Sequence, residues 1–313
     1  MQHFIPNTAL VCEGGGMRAV YTGGMASVML EEGIKFPYVT GVSAGTTIAV
    51  NYVMQNIERM HDGFIDLSSD PDNVGIKPLL RGEGYFNSFS IYEEAFYEEE
   101  DMDANWRAFH DSGVEVALSA FNQDTGEIRY WHQADISSYR DLMRICRASS
   151  SLPMMMPTTY IDGVGYVDGG VRECFVIQPA IDAGIERFVI LPTHKRGYRR
   201  ETSTSEKLAK YFYREHRKVA EALKIRAERY NIQMELIEKM EADGRALVLY
   251  PETMPVSRTD HEREILETTW ALGREQAKNY KFKNSLNPHN PRRVWGFKLC
   301  EILTLSIIQS HRP

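Results

Sequence analysis

The 313-residue chain has only four cysteines, Cys12, Cys146, Cys174 and Cys300, too scattered to form a CxxC pair, so neither a zinc site nor a disulfide framework is signalled. It has no cationic excess: 36 Lys and Arg against 43 Asp and Glu give a net charge of -7, which removes the electrostatic footprint of a nucleic-acid partner. Long apolar runs are missing too, since Leu299 to Ile308, interrupted by Glu301 and Thr304, is about half of the ~20 residues that span a bilayer. The opening MQHFIPNTAL lacks the basic start and apolar stretch of a secretory leader, so a cytoplasmic location is expected. No HExxH spacing occurs among the histidines and no acidic cluster has calcium-loop spacing, so no metal or other cofactor is expected. With 43% hydrophobic and 25% charged residues, the composition is that of a globular chain with a sizeable core.

What is present is a repeated β-turn-α pattern. Thr8 to Cys12 is a short apolar run, closed by Gly14, Gly15 and Gly16 and followed by helical spacing from Met17 to Glu32. Phe36 to Thr40 reads as a second strand, Gly41 to Gly45 as a tight turn, and Ala44 to about Met60 as a second helix. Two such units in succession predict an α/β fold with a mainly parallel sheet. Further strands are expected at Val114 to Phe121, Glu127 to Trp131, Phe188 to Leu191 and Ala246 to Tyr250, and Asp162-Gly163 should turn a hairpin that ends at Asp168. Glu93 to Asp103 holds seven acids and no base, which reads as a solvated face. Ser205 to about Asp243 reads as peripheral helices, and Val294 to Gln309 as a final helix-like run.

The chemistry-bearing signal is GVSAG at Gly41 to Gly45. A serine in a sharp strand-to-helix turn projects its hydroxyl clear of the backbone, and the flanking Gly41 and Gly45 let neighbouring segments approach. Ser43 is thus a candidate nucleophile, against the plainer alternative of a helix N-cap. Gly14, Gly15 and Gly16, in the neighbouring turn, offer backbone N–H groups that could hold an oxyanion, with Arg18 beside them. The competing reading of GGGMRA is a dinucleotide turn, with Glu31 or Glu32 near the ribose position. A serine needs a base. Asp162 belongs to a turn, whereas Asp168 is followed by Gly169 and Gly170 and can bend toward the centre, which makes it the better base. His194, after the Phe188 strand, is well placed for a Ser-acid-His triad instead.

GGGMRA, GVSAG and DGG, in this order, resemble the patatin-like phospholipase family of serine acyl hydrolases, and ASSSLP within Ala148 to Pro157 is similar to that family's Ser and Pro segment. The likeness covers roughly residues 8 to 195 and departs at Ala19, where the family usually has glycine. It implies a three-layer α/β/α sandwich with C-terminal helical additions, and a Ser-Asp dyad without histidine. Ser43 would be the nucleophile, Asp168 the base, and Gly14, Gly15, Gly16 and Arg18 the oxyanion loop. The implied substrate is a lipid carboxylic ester. Separately, between Glu206 and Arg229 eight Lys or Arg stand against four acids, which reads as a solvated helix or as a face for peripheral contact with an anionic membrane. A catalytically silent lipid-binding protein of the same fold is the alternative from another class. Met154, Met155 and Met156 read as core filling or as an acyl pocket. A single catalytic domain over residues 1–283 is expected, with the motifs in 8–195, peripheral helices and a returning strand in 200–283, and a tail over 284–313.

Overall fold

A computed structural model of the protein describes residues 3–95, 102–204, 206, 211 and 213–280. A two-residue pair, β1 (His3–Phe4) and β3 (Ile34–Lys35), stands apart from the main sheet. In that sheet β10 (Ala246–Val248), β9 (Arg187–Leu191), β2 (Thr8–Cys12), β4 (Tyr38–Val42) and β5 (Glu115–Asn122) lie side by side and parallel. The antiparallel strands β6 (Ile128–His132), β7 (Thr159–Ile161) and β8 (Val164–Asp168) complete it. The sheet is mixed and has eight strands. The second strand starts two residues later than its apolar run suggests, because Pro37 cannot donate to a ladder.

Alternation along the strands builds two cores. Leu10, Cys12, Val39 and Leu191 face one side, and Ala9, Val11, Tyr38 and Ile190 face the other. The first side is covered by α1 (Ala19–Glu31), α2 (Ala44–Met54), α3 (Ile57–Phe64), α4 (Met102–His110), α5 (Tyr139–Ser150) and α8 (Arg263–Tyr280). On the opposite side α7 (Arg226–Ala242) lays Tyr230, Met234, Ile237 and Met240 on the sheet, and α6 (Arg217–Lys224) packs Val219 and Leu223 against Phe121 and Val167. The architecture is the α/β/α sandwich.

One helix expected from Ala44 to Met60 is two. Gln55 takes a left-handed conformation (φ 60°) that ends α2, and Asn56 caps α3 by accepting the Arg59 N–H at 2.9 Å. The acidic stretch is not simply solvated: Glu93 is buried and paired with Arg147 at 2.9 Å, while residues 96–101 lie outside the described residues. Of the 205–243 segment, the two helices α6 and α7 are present, and residues 205, 207–210 and 212 are not described. The expected run at 294–309 and the tail also lie outside the described residues.

Candidate functional site

The strand register brings the two candidate reacting groups together. β4 pairs with β5 up to Val42 opposite Ser119, and on the next residue, Ala120, β5 pairs with Asp168 of β8. Since β6 occupies the other edge of β5, β8 continues the edge that β4 leaves. Ser43, one step past Val42, therefore meets Asp168, although 125 residues separate them. Its Oγ donates to Asp168 Oδ2 at 2.6 Å.

Ser43 sits at φ 55° and ψ -136°, a left-handed position for a residue with a side chain. Such a conformation costs on the order of 1–3 kcal/mol and persists only where the surroundings enforce it. The enforcement is visible. A Cβ on Gly41 would lie 2.9 Å from Thr46 Cα, and one on Gly45 would lie 2.8 Å from the Glu13 carbonyl, so the strand end, the helix start and the preceding loop touch through backbone. The Ser43 N–H donates to Ser149 Oγ at 2.8 Å, and Ser149 in turn donates to the Ser119 carbonyl at 2.6 Å.

The glycine loop closes over this elbow. A Cβ on Gly14 would meet Ser43 Cβ at 2.7 Å, and one on Gly15 would meet Thr193 Cβ at 2.7 Å. Gly16 has φ +58° and abuts Arg258, whose carbonyl accepts the Met17 N–H at 3.0 Å. Arg18 lies in the short turn that leads into α1 and lines the same cavity as the glycines, Ser43 and Asp168.

Asp168 is buried, which raises its pKa from the usual carboxylate value; the nearby Arg226, the Ser43 hydroxyl, the Gly170 N–H and Arg258 counteract the rise. Gly170 N donates to Oδ1 at 2.7 Å, leaving Oδ2 to the serine. Arg226 Nε donates to the Gly170 carbonyl at 2.6 Å and so braces that turn.

His194 also lines the cavity, but its ring stacks on Tyr198 at 3.9 Å and lies 3.7 Å from Glu13, while the Ser43 hydroxyl is engaged with Asp168. Glu31, the ribose candidate of the nucleotide reading, pairs with Arg274 of α8 at 2.8 Å. Asp162 is exposed, at φ 51° in its hairpin turn. Met156 lines the cavity, whereas Met154 is exposed. Cys12, Cys146 and Cys174 are buried thiols whose pKa burial raises, Cys146 to about 12; Cys300 lies outside the described residues.

Sequence reasoning missed Ser149, Arg200, Arg226 and Arg258. Ser149 stood inside the noted ASSSLP segment, but nothing in sequence marked which serine faces the elbow. The arginines come from segments that carry no motif.

Residues 10–181, more than half of the chain, match the family described as patatin-like phospholipase. The chain belongs to that family. Residues 216–284 match a second family, described as a domain of unknown function, DUF6363. An uncharacterized protein of Escherichia coli (strain K12), YjjU, is 23% identical over 188 residues, 59% of this chain and 51% of its own, so the chain spans about half the length of that relative. The crystal structure of VipD from Legionella pneumophila is similar over 87% of this chain and 66% of its own, at 10% identity and a TM-score of 0.36. Membership of the patatin-like family supports lipid acyl hydrolase chemistry in general terms.

Proposed function

We propose that the protein is a serine acyl hydrolase of lipid esters that works through an acyl-Ser43 intermediate and a Ser43-Asp168 dyad. The observation that carries this reading is the 2.6 Å hydrogen bond from Ser43 Oγ to Asp168 Oδ2, made by a serine held in a strained elbow against a glycine loop. Asp168 takes the Ser43 proton as Oγ attacks the ester carbonyl, and returns it to the departing alcohol. It then deprotonates the water that releases the fatty acid. Burial supports this role, because a desolvated carboxylate is a stronger base than one in water. Gly14 and Gly15 N–H groups, near the start of α1, would hold the negative charge of both tetrahedral intermediates, each aimed donor contributing ~2.7–4 kcal/mol.

The cavity adjoining Ser43 is lined by Val50, Phe64, Phe86, Ile91, Met143 and Met156, which suits an acyl chain. Contact with a lipid surface fits the short helix Ile76–Leu80, whose Ile76, Leu79 and Leu80 are exposed, and which runs on to Phe86 in the cavity wall. Among the described residues no helix is long and apolar enough to cross a membrane. A fluorophosphonate probe should label the wild-type protein and fail to label Ser43→Ala. Asp168→Asn should lose ~10²–10⁴-fold in ester hydrolysis, the span general-base catalysis contributes, while His194→Ala keeps its activity. Labelling of folded Ser43→Ala, or collapse of activity in the histidine variant alone, would overturn the dyad.

A further inference from the structure

The cavity around Ser43 straddles the sheet. Its apolar wall, including Val50, Phe64, Phe86 and Met143, belongs to the core on the α1 side. Its other wall holds Arg200, Arg226 and Arg258, none of which lies within the 10–181 match to the patatin-like family. Arg226 opens α7, which is anchored on the opposite face of the sheet, and Arg258 lies over Gly16. Residues 216–284, the second matched region, thus supply two cations to the cavity that the first region builds.

Carboxylates offset these cations only in part: Asp168 acts electrostatically on Arg226 and Arg258 without an ion pair to Arg258, and Glu13 in the cavity wall is engaged by the Thr193 N–H and His194. One carboxylate, Glu206, serves both Arg200 at 2.8 Å and Arg226 at 3.8 Å. The Arg200 side chain is 9% exposed, and its Nε is buried with no hydrogen-bond partner among the described residues. The Arg258 side chain makes no hydrogen bond or ion pair with a described residue. Burial, followed by repulsion from Arg226, Arg200 and Arg18, lowers its pKa to about 10. Desolvated charge of one sign is costly unless a counter-charge is supplied.

The direction of the proposed reaction says where that counter-charge comes from. The departing alcohol takes its proton from Asp168, and Asp168 is tied through Gly170 to Arg226, so the alcohol emerges on the arginine side while the acyl chain occupies the apolar side. Resting on the acyl-hydrolase reading above, we infer that Arg200, Arg226 and Arg258 form a subsite for an acidic group on the alcohol half of the substrate, a phosphate with no attached cation. Guanidinium forks match phosphate oxygens bidentately. A choline headgroup is disfavoured here because its ammonium would sit among three guanidiniums, and the lining aromatics Phe64, Phe86 and Tyr92 pack with the apolar wall rather than forming a cage around it.

The test uses the full chain carrying Ser43→Ala, which binds without turnover. Calorimetric titration with lysophosphatidate, lysophosphatidylcholine and monoacylglycerol of one chain length, all below their micelle concentrations, should give lysophosphatidate at least about tenfold tighter binding than the other two, the scale of a charge-assisted contact. Adding Arg258→Gln should erase that preference, and Arg258→Lys, which keeps the charge, should retain part of it; thermal melts identify any variant that fails to fold. Equal affinity for the three lipids overturns the subsite. Inorganic phosphate binding as tightly as lysophosphatidate, with the same arginine dependence, also overturns it, by making the site one for free phosphate. In wild-type protein, hydrolysis of all three esters at equal kcat/KM would sink the subsite and leave the acyl-hydrolase reading standing. Absence of any hydrolysis, with the lysophosphatidate preference intact, would sink that reading instead and support the subsite.

Discussion

At the scale of single residues, the environment of Asp168 makes a pH prediction with a definite sign. Burial raises its pKa and Arg226 is the largest influence that lowers it. If Asp168 is the base, kcat/KM is lost as pH falls through its raised pKa, so the acid limb lies above the ordinary aspartate value. Arg226 acts on Asp168 through its hydrogen bond to the Gly170 carbonyl, which positions that turn, and through its positive charge. Arg226→Gln should therefore move the acid limb to higher pH, and Arg226→Lys should move it less, because the charge stays. A limb that does not move in either variant would show that Arg226 acts by packing alone. The same carboxylate costs stability in its charged form, since the folded state holds the proton more tightly than the unfolded chain. That cost is full above the raised folded-state pKa, shrinks as pH drops from there toward the unfolded value of about 3.9, and is gone below it. Ser43, Asp168 and the three glycines were legible in the sequence because each belongs to a short motif whose turn chemistry is local. Ser149 was not, because its role depends on accepting from a backbone N–H 106 positions away. The arginines depend in the same way on Gly170 and Gly16, which their own neighbours in sequence do not reveal.

At the scale of elements, glycine decides how closely α8 can lie on α1. The α1 sequence is apolar nearly all round, and residues from Ala19 to Met29 are buried, because the helix is covered by the sheet on one side and α8 on the other. A Cβ on Gly23 would lie 2.9 Å from Trp270 Cζ3, and one on Gly24 would strike the Trp270 carbonyl oxygen and approach Arg274 N to 3.2 Å. Tyr21 OH donates to Gln276 across the same contact at 2.6 Å. Ala is the better helix former, so in isolation Gly24→Ala would stabilise α1 by roughly 1 kcal/mol. In this contact, overpacking at ~1–3 kcal/mol outweighs that gain. Gly24→Ala should thus lower the urea midpoint, whereas Gly184→Ala, with nothing within 4 Å but φ +82°, reports backbone strain without a packing clash. Equal or higher stability of Gly24→Ala would show that the helices can separate at little cost. The two β-turn-α units were legible because strand, glycine turn and apolar helix follow one another directly. The α5 and α8 helices were not read: α5 runs into a serine-rich end that looks like loop, and α8 carries Thr268, Thr269 and Gly273 on a helix held by its partner α1.

At the scale of the molecule, the C-terminal region is woven into the sheet rather than appended to it. Ala246–Val248 pairs in parallel with β9, which itself borders β2, so the segment before β10 leaves the sheet as helices and returns to its edge. The sequence hinted at this return through the run after Gly244, but it did not reveal that α8 would cover α1. We propose on this basis that the chain to residue 280 folds as one cooperative unit. Removing residues 205–313 would bare the edge of β9 and the α8 face of α1. Each large apolar side chain returned to water costs about 1.5–3 kcal/mol, so a handful would exceed the 5–15 kcal/mol that typically holds a folded protein together. Two tryptophans sit on either side of the question: Trp131 on β6 and Trp270 on α8. Variants that keep only Trp131 or only Trp270 should unfold in urea at the same midpoint, and the chain ending at residue 204 should show no cooperative transition. Two separate midpoints would mean that the C-terminal region folds independently, and that its arginines reach the Ser43 cavity across a domain boundary rather than within one core.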